Sequence, residues 1–238
     1  MSMPLISVMM PAWNASWFIS DAIKSMQAQT YKDWQLIIVD DGSDDLTKEI
    51  AQSHANNDSR IIVDQIDHAG CPSARNKCLE IATGDIIARL DADDTHEPIR
   101  LESQVQYLLD CDVDIVTCEM TWLKGIVKLQ KHVGAMDIDK YMAGESNGPV
   151  CASTVAWSRV YDVVGAFKTT QLAGSDGDWN FRAVVAGMRW GHLPYHWYNQ
   201  RRHAGQLSQS MRGMQRKTHE EARARYKEQY ESLRDRPR

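Results

Sequence analysis

Apolar and polar positions alternate in blocks along the first half of the chain. Residues 5–10 are a short, nearly unbroken apolar run closed by Pro11, the pattern of a buried strand. Ile19, Ala22, Ile23 and Met26 then fall at i, i+3, i+4 and i+7, which is one helical stripe. Residues 35–39 form a second apolar run, ending in Asp40-Asp41-Gly42-Ser43. Residues 46–53 read as a helix with Ser43 or Asp44 as its cap. Residues 60–63 read as a third strand, and 72–82 as a helix with Pro72 near its first turn. Residues 85–90 give a fourth strand, followed at once by Asp91-Ala92-Asp93-Asp94. A helix over 99–109 and a strand over 113–118 complete this half.

Strand–helix–strand repetition of this kind predicts an α/β fold with a mostly parallel sheet. In such sheets ligands bind outside the carboxyl ends of the strands. Three polar segments fall at those ends: Pro11-Ala12-Trp13-Asn14, Asp40-Asp41-Gly42-Ser43 and Asp91-Ala92-Asp93-Asp94. The second half is less regular. Residues 120–150 read as strands and a mobile loop. Residues 155–164 and 179–186 are locally regular, with Gly165 and Gly187 as stops. Residues 211–233 space Met211, Met214, Ala222, Tyr226, Tyr230 and Leu233 at roughly helical intervals.

Composition changes this picture little. Hydrophobic residues make up 43% and charged residues 25% of 238 positions, which excludes collagen-like, disordered and disulfide-scaffold classes. The net charge of −5 gives no general basic footprint for nucleic acid. Its distribution is uneven, however. Residues 211–238 hold nine Lys/Arg and five Asp/Glu, against 18 and 27 in the rest. The basic tail predicts either a surface helix on an anionic membrane or a helix packed on the domain or on a second copy; Glu220, Glu221, Glu228 and Glu231 interrupt the basic face and favour packing. The N-terminus has no secretory pattern and no apolar run reaches membrane-spanning length. Five cysteines, an odd number, point to a reducing compartment, and their spacing fits no zinc pattern.

The candidate chemistry lies in the strand-end segments. Closely spaced carboxylates such as Asp91, Asp93 and Asp94 repel unless a positive group lies between them. A hard divalent ion held by one or two carboxylates plus substrate phosphates is one such partner, and a solvated helix-capping turn is the plain alternative. Asp40, after four apolar residues, is placed to accept a hydrogen bond from a nucleobase imide N–H. Arg75, in a helix opened by Gly70, has Asp40 or a phosphate as candidate partners. A G-x-x-x-x-G-K-[ST] loop and a G-x-G-x-x-G fingerprint are both absent.

Taken together and in order, these segments resemble family-2 glycosyltransferases. The resemblance is carried by Ile6 through Asn14, Gln27-Ala28-Gln29-Thr30-Tyr31, Val39 through Asp45, Gly70 with Ala74-Arg75-Asn76, Ala82 through Ile87, and Leu90 through Asp94. Val164-Gly165-Ala166-Phe167, Ser175 through Arg182, and Arg202-His203 with Ser208 extend it over residues 4–208. Each motif is weak alone; the ordered set is specific.

The resemblance implies the GT-A fold, a Rossmann-like α/β domain with a mostly parallel central sheet flanked by helices, followed by a C-terminal helical extension. It divides the chain into a glycosyltransferase domain over 1–210 and a basic tail over 211–238. Within the domain, 1–118 would bind the nucleotide sugar and 119–210 the acceptor. It implies that Pro11, Ala12 and Asp40 line the nucleobase pocket, that Arg75 lies near the nucleotide, that Asp91 faces the ribose, and that Ala92 belongs to the donor-binding set. Asp93 would bind a divalent metal, Mn²⁺ or Mg²⁺, on the diphosphate, with His203 as a further ligand or diphosphate contact. Asp176 would be the catalytic base of a single, inverting displacement. The family commonly has Glu-Asp where this chain has Ser175-Asp176, and Asp178 is the alternative base; flanked by Gly174 and Gly177, Asp176 also reads as a plain loop carboxylate. The implied donor is a nucleoside-diphosphate sugar, UDP by family habit. The acceptor would be a saccharide, lipid-linked or other hydroxyl in polysaccharide or glycoconjugate synthesis. The implied place is the cytoplasm, with peripheral contact at the inner membrane face or a homodimer through the C-terminal helix. Two rivals stand beside this reading. Asp91 through Thr95 also fits the D-x-D-x-T pattern of haloacid dehalogenase-like phosphohydrolases, although there the motif follows the first strand rather than the fourth. A non-catalytic sugar-nucleotide binder or a nucleotidyltransferase is the other.

Overall fold

The computed structural model describes residues 3–124, 127–131, 134–146, 148–206 and 210–234. Four apolar runs of the first half become β1 (Ile6–Ala12), β2 (Trp34–Asp40), β3 (Ile61–Gln65) and β4 (Ile86–Arg89), paired in parallel in the order β3-β2-β1-β4. They alternate with α1 (Ile19–Gln27), α2 (Thr47–Ala55) and α3 (Cys71–Ile81). Then follow the two-residue β5 (Thr95–His96), α4 (Arg100–Asp110), β6 (Ile115–Lys124), β7 (Val127–Lys131) and α5 (Ile138–Ala143). A 3₁₀ turn (Cys151–Ser153), β8 (Val155–Trp157), α6 (Ser158–Val164), α7 (Ser175–Val185), β9 (Trp190–Arg201) and α8 (Arg212–Arg234) complete the chain. Beyond β4 the sheet is mixed. β8 runs antiparallel between β4 and β6, β9 is parallel to β6, and β5 and β7 are antiparallel to β9 and β6.

β1, β2 and β4 lack a hydrophobic–polar alternation because both of their faces are buried. Leu36 and Ile38 pack with Ile19, Ile23, Ala51, Leu101 and Val105 against α1, α2 and α4. Ile37 and Val39 point the other way, against Ala74, Cys78, Val160, Trp179 and Ala183 of α3, α6 and α7. Each of these aliphatic side chains contributes about 1.5–3 kcal/mol by leaving water, which fixes the register of the strand ends that build the site.

Several elements differ from expectation, for physical reasons. β1 continues through Pro11 to Ala12. Pro11 faces the β4 side, where pairing ends at Met9–Arg89, so its missing N–H breaks no ladder bond. Neither Ser43 nor Asp44 caps α2. Ser43 bonds Asp40, and the Asp45 carboxylate takes the Thr47 N–H at 2.9 Å and the Ser16 N–H at 3.0 Å. The regular stretch 155–164 divides into a strand and a helix. Residues 190–201, not expected as a strand, form the long β9. Pro194 argues against a strand, and the structure accommodates it in a bulge: Cys118 pairs with Leu193, but the next residue, Glu119, pairs with His196.

The tail is helical, as its spacing predicts. Its apolar face is used within the fold: Ala222 and Tyr226 join Tyr141, Met142, Phe181 and Val184 in one cluster with α5 and α7. No helix among the described residues is long and apolar enough to cross a membrane. Ser208, part of the motif set above, lies outside the described residues.

Candidate active site

The carboxyl ends of β1, β2 and β4 lie side by side, so the three polar segments meet at one edge of the sheet. Ala12 is level with Asp40, and the Asp41 N–H donates to the Ala12 carbonyl at 2.8 Å. Asp40 is buried, with a carboxylate that accepts from the Ser43 hydroxyl at 2.5 Å, the Ser43 N–H at 3.1 Å and Gln65 Nε2 at 3.1 Å. Gly42 makes this turn with φ +67°, and a side chain there would meet the His68 backbone nitrogen at 2.9 Å. Asp41, also buried, accepts from the Ala69 and Gly70 N–H groups at 2.9 Å each and so fixes the entry to α3. Trp13 stacks on His68 over the same edge, with ring centroids 4.7 Å apart.

Arg75 does not pair with Asp40, whose carboxylate is held by Ser43 and Gln65 at its own strand end. It projects from α3 toward the segment after β4. There Nη2 donates to Asp91 Oδ1 at 3.0 Å and Nη1 to Asp176 Oδ1 at 2.6 Å. One guanidinium thus ties a carboxylate of the first half of the chain to one of the second. The Ala92 side chain between Asp91 and Asp93 is buried in the core with Ala12.

Asp93 and His203 come together across a sequence separation of 110, with His203 Nε2 3.0 Å from Asp93 Oδ2. A chain of contacts places His203. Asp94 accepts from the Tyr198 hydroxyl and from the Arg201 N–H at 2.7 Å, Arg201 pairs with Asp21 at 3.1 Å, and the Phe18 ring lies 4.5 Å from the imidazole. The third carboxylate of the Asp91–Asp94 segment is therefore a clasp between that segment and β9. Burial, with Asp93 and Asp91 adjacent, pushes the Asp94 carboxyl well above the ordinary carboxylate range. Replacing Tyr198 by Phe removes one of its two donors. The expected loss is about 1–3 kcal/mol, read as a lower midpoint in urea with the slope unchanged.

Asp176 stands at the start of α7 rather than in a loop. Its Oδ1 takes Arg75 and, at 3.4 Å, Arg89 Nη1. Among the described residues all of its hydrogen bonds fall on Oδ1, which leaves Oδ2 open. Burial works to raise this carboxyl, but Arg75 and Arg89 overcome it and hold it below its ordinary value. Arg89 is the residue that sequence reasoning missed. It sits inside the buried strand β4, boxed by Trp179 at 4.5 Å and Phe167 at 5.0 Å, with the Tyr161 hydroxyl 3.2 Å from Nε. Its only signal was a cation inside an otherwise apolar strand run. Asp178, the alternative base, is fully buried and held by Lys168 and Arg182 at 2.8 Å each and Arg225 at 3.4 Å, so it anchors α7 and α8 instead.

The remaining motif residues position these groups. Asn76 exchanges two hydrogen bonds with the Phe167 backbone, at 2.9 and 2.8 Å. Trp179 Nε1 donates to the Gly165 carbonyl at 3.1 Å and Arg182 Nη2 to that of Ala166 at 2.8 Å. The segment 164–167 is thereby clamped between α3 and α7.

Asp93 and His203 offer a hard oxygen and an imidazole nitrogen side by side. Among the described residues no group of three or more His, Cys, Asp or Glu could hold a metal ion. The pair therefore fits an ion that completes its shell with substrate phosphates, and does not fit a closed structural site.

The family model described as Glycosyl transferase family 2 matches residues 7–155. A Bacillus subtilis protein provisionally named the teichuronic acid biosynthesis glycosyltransferase TuaG is 40% identical over 108 residues, covering 45% of this chain and 43% of its own. The glycosyltransferase AglE of Haloferax volcanii is 28% identical over 193 residues, covering 78% and 63%. The chain thus spans under half of TuaG and under two thirds of AglE. Among solved structures, S. aureus TarS 1-349 in complex with UDP-GlcNAc superposes with a TM-score of 0.73 at 18% identity, covering 87% of this chain and 61% of that one. The mannosyltransferase PcManGT of Pyrobaculum calidifontis, in complex with GDP-Man and Mn²⁺, does so with a TM-score of 0.67 at 18% identity, covering 99% and 66%. Both share the fold of this chain.

Proposed function

The chain belongs to glycosyl transferase family 2, and from that premise we propose that it moves a sugar from a nucleoside-diphosphate donor to an acceptor hydroxyl, with inversion at C1. The carrying observation is the Arg75 bridge, which sets Asp91 of the donor half beside Asp176 of the acceptor half. In this reading Pro11, Ala12 and Asp40 hold the nucleobase, Asp91 the ribose, and Asp93 with His203 the diphosphate end. Asp176 Oδ2 takes the proton of the acceptor hydroxyl as that oxygen attacks C1. Arg75 and Arg89 hold the carboxylate ionised and aimed. One base suffices, because the leaving diphosphate departs without a proton. Asp93 and His203 would hold a divalent ion, Mn²⁺ or Mg²⁺, which when bound neutralises charge on the leaving group as a Lewis acid.

A UDP-sugar is the favoured donor. Support comes from the TarS complex with UDP-GlcNAc; the GDP-Man complex of PcManGT keeps GDP-sugars as the comparison. An acceptor in polysaccharide synthesis is supported by the teichuronic acid name of TuaG.

The test needs no acceptor. Incubated with an α-linked UDP-sugar and water, the protein is expected to release the β-anomer first, followed by proton NMR before mutarotation. First release of the α-anomer would contradict a single displacement.

A further inference from the structure

The two glycines that bracket Ser175-Asp176 have a shared physical reason. A side chain at Gly174 would meet Thr218 Cβ at 3.0 Å, and one at Gly177 would meet His219 Nε2 at 2.0 Å. Two consecutive residues of α8 therefore fill the space that these glycines leave. The buried Thr218 sits over the start of α7 and His219 sits over the residue after Asp176. Phe181, one turn further along α7, meets the imidazole edge-on with ring centroids 6.3 Å apart. The apolar contacts of Ala222 and Tyr226 with α5 and α7 fix α8 in this register.

We propose that His219 completes the base assembly, receiving the proton that Asp176 takes from the acceptor hydroxyl; it is a positioning residue that acts through Asp176. The proposal rests on Asp176 being the base. The step balances. The acceptor O–H bond breaks as its oxygen bonds C1, and the bond from C1 to the diphosphate oxygen breaks with its electron pair leaving on the phosphate. The proton goes to Asp176 Oδ2, then through one bridging water to the neutral imidazole, and from the half-buried ring to solvent.

The charge environment suits this division of work. Arg75 on α3 and Arg89 on β4 make Asp176 a weak holder of a proton, and Asp91 and the thiols of Cys71 and Cys151 are the other titratable groups beside it. His219 faces Asp176 on α7 and Arg223 on its own helix. Burial lowers it, Asp176 raises it and Arg223 lowers it, leaving the imidazole below its ordinary value and neutral at pH 7.

The test is the pH profile of donor hydrolysis by the full chain, using the UDP-, GDP- or dTDP-sugar that it turns over fastest. Turnover by the unmutated protein should fall on the acid side as His219 protonates, with a midpoint below the ordinary histidine value of about 6.5. His219→Gln should lower kcat about tenfold at pH 7.5, less than the about 10²–10⁴-fold of a directly acting base, with donor KM nearly unchanged. It should also move the acid limb to lower pH. Gly177→Ala, which pushes the ring aside, should reproduce that profile, and adding it to His219→Ala should cost nothing more. A uniform scaling of the profile with its acid limb unmoved would mean a structural role only and overturns the proposal. Asp176→Asn, assayed in parallel, separates the two ideas. If it keeps turnover, the base assignment fails; if it loses turnover while His219→Gln keeps the original profile, only the relay fails.

Discussion

Asp176→Asn is expected to lower sugar transfer by about 10²–10⁴-fold, the usual contribution of a positioned general base, while nucleotide affinity moves by less than about threefold. The asparagine keeps the shape of the side chain and an Oδ1 that can still accept from Arg75 and Arg89. It cannot take a proton. The loss should therefore fall on kcat, with KM for the donor little changed, as for an interaction needed only in the transition state. Nucleotide titration and a thermal melt on the same preparation separate lost chemistry from lost fold. Retained transfer would remove Asp176 from the mechanism, and Asp178, sealed in its ion pairs, could not replace it.

Arg75→Met should damage both stability and donor binding. The side chain is nearly the right length to fill the space, but it leaves Asp91 and Asp176 facing each other without the cation between them. Removing one partner of a fully buried ion pair costs about 3–5 kcal/mol. Here the two carboxylates keep 30% and 26% side-chain exposure, so about 2–4 kcal/mol is expected. Asp91, left without a cation, and Asp176, left with Arg89 alone at 3.4 Å, should also repel an incoming diphosphate. The expected outcome is a lower urea midpoint at pH 7 together with at least tenfold weaker nucleotide binding. Arg75→Lys should recover part of the stability but little of the binding, because one ammonium cannot span both carboxylates as the guanidinium fork does. A Met variant with unchanged nucleotide affinity would show that the bridge serves only the fold.

The first half of this chain was legible because β1, β2 and β4 are buried on both faces and α1 carries a clean stripe. The apolar runs in β1, β2 and β4 placed three polar strand ends at one sheet edge, and Asp40, Asp91 and Asp93 are there. Juxtapositions that depend on long-range packing were not legible. The ordered motifs carried His203 to Asp93 by resemblance, but nothing local showed the clasp through Asp94, Tyr198 and Arg201 that holds it there. Arg89 was hidden because a strand run reads as apolar core, and only its aromatic box shows why a cation is tolerated there. β9 was hidden by Pro194, which a bulge absorbs. The glycines at 174 and 177 suggested a loop, whereas each makes room for a side chain of α8, a helix whose partner could not be read from its own spacing.

The central claim is that this sheet edge binds a nucleoside diphosphate through Asp93 and His203. Calorimetric titration tests it most directly, with UDP, GDP and dTDP each added in Mn²⁺, in Mg²⁺ and in chelator. The account predicts that UDP binds in the presence of the ion, that chelator weakens it at least tenfold, and that Asp93→Ala and His203→Ala each remove most of the ion-dependent part. Failure of all three nucleotides to bind under every condition, by a protein that melts cooperatively, would contradict it.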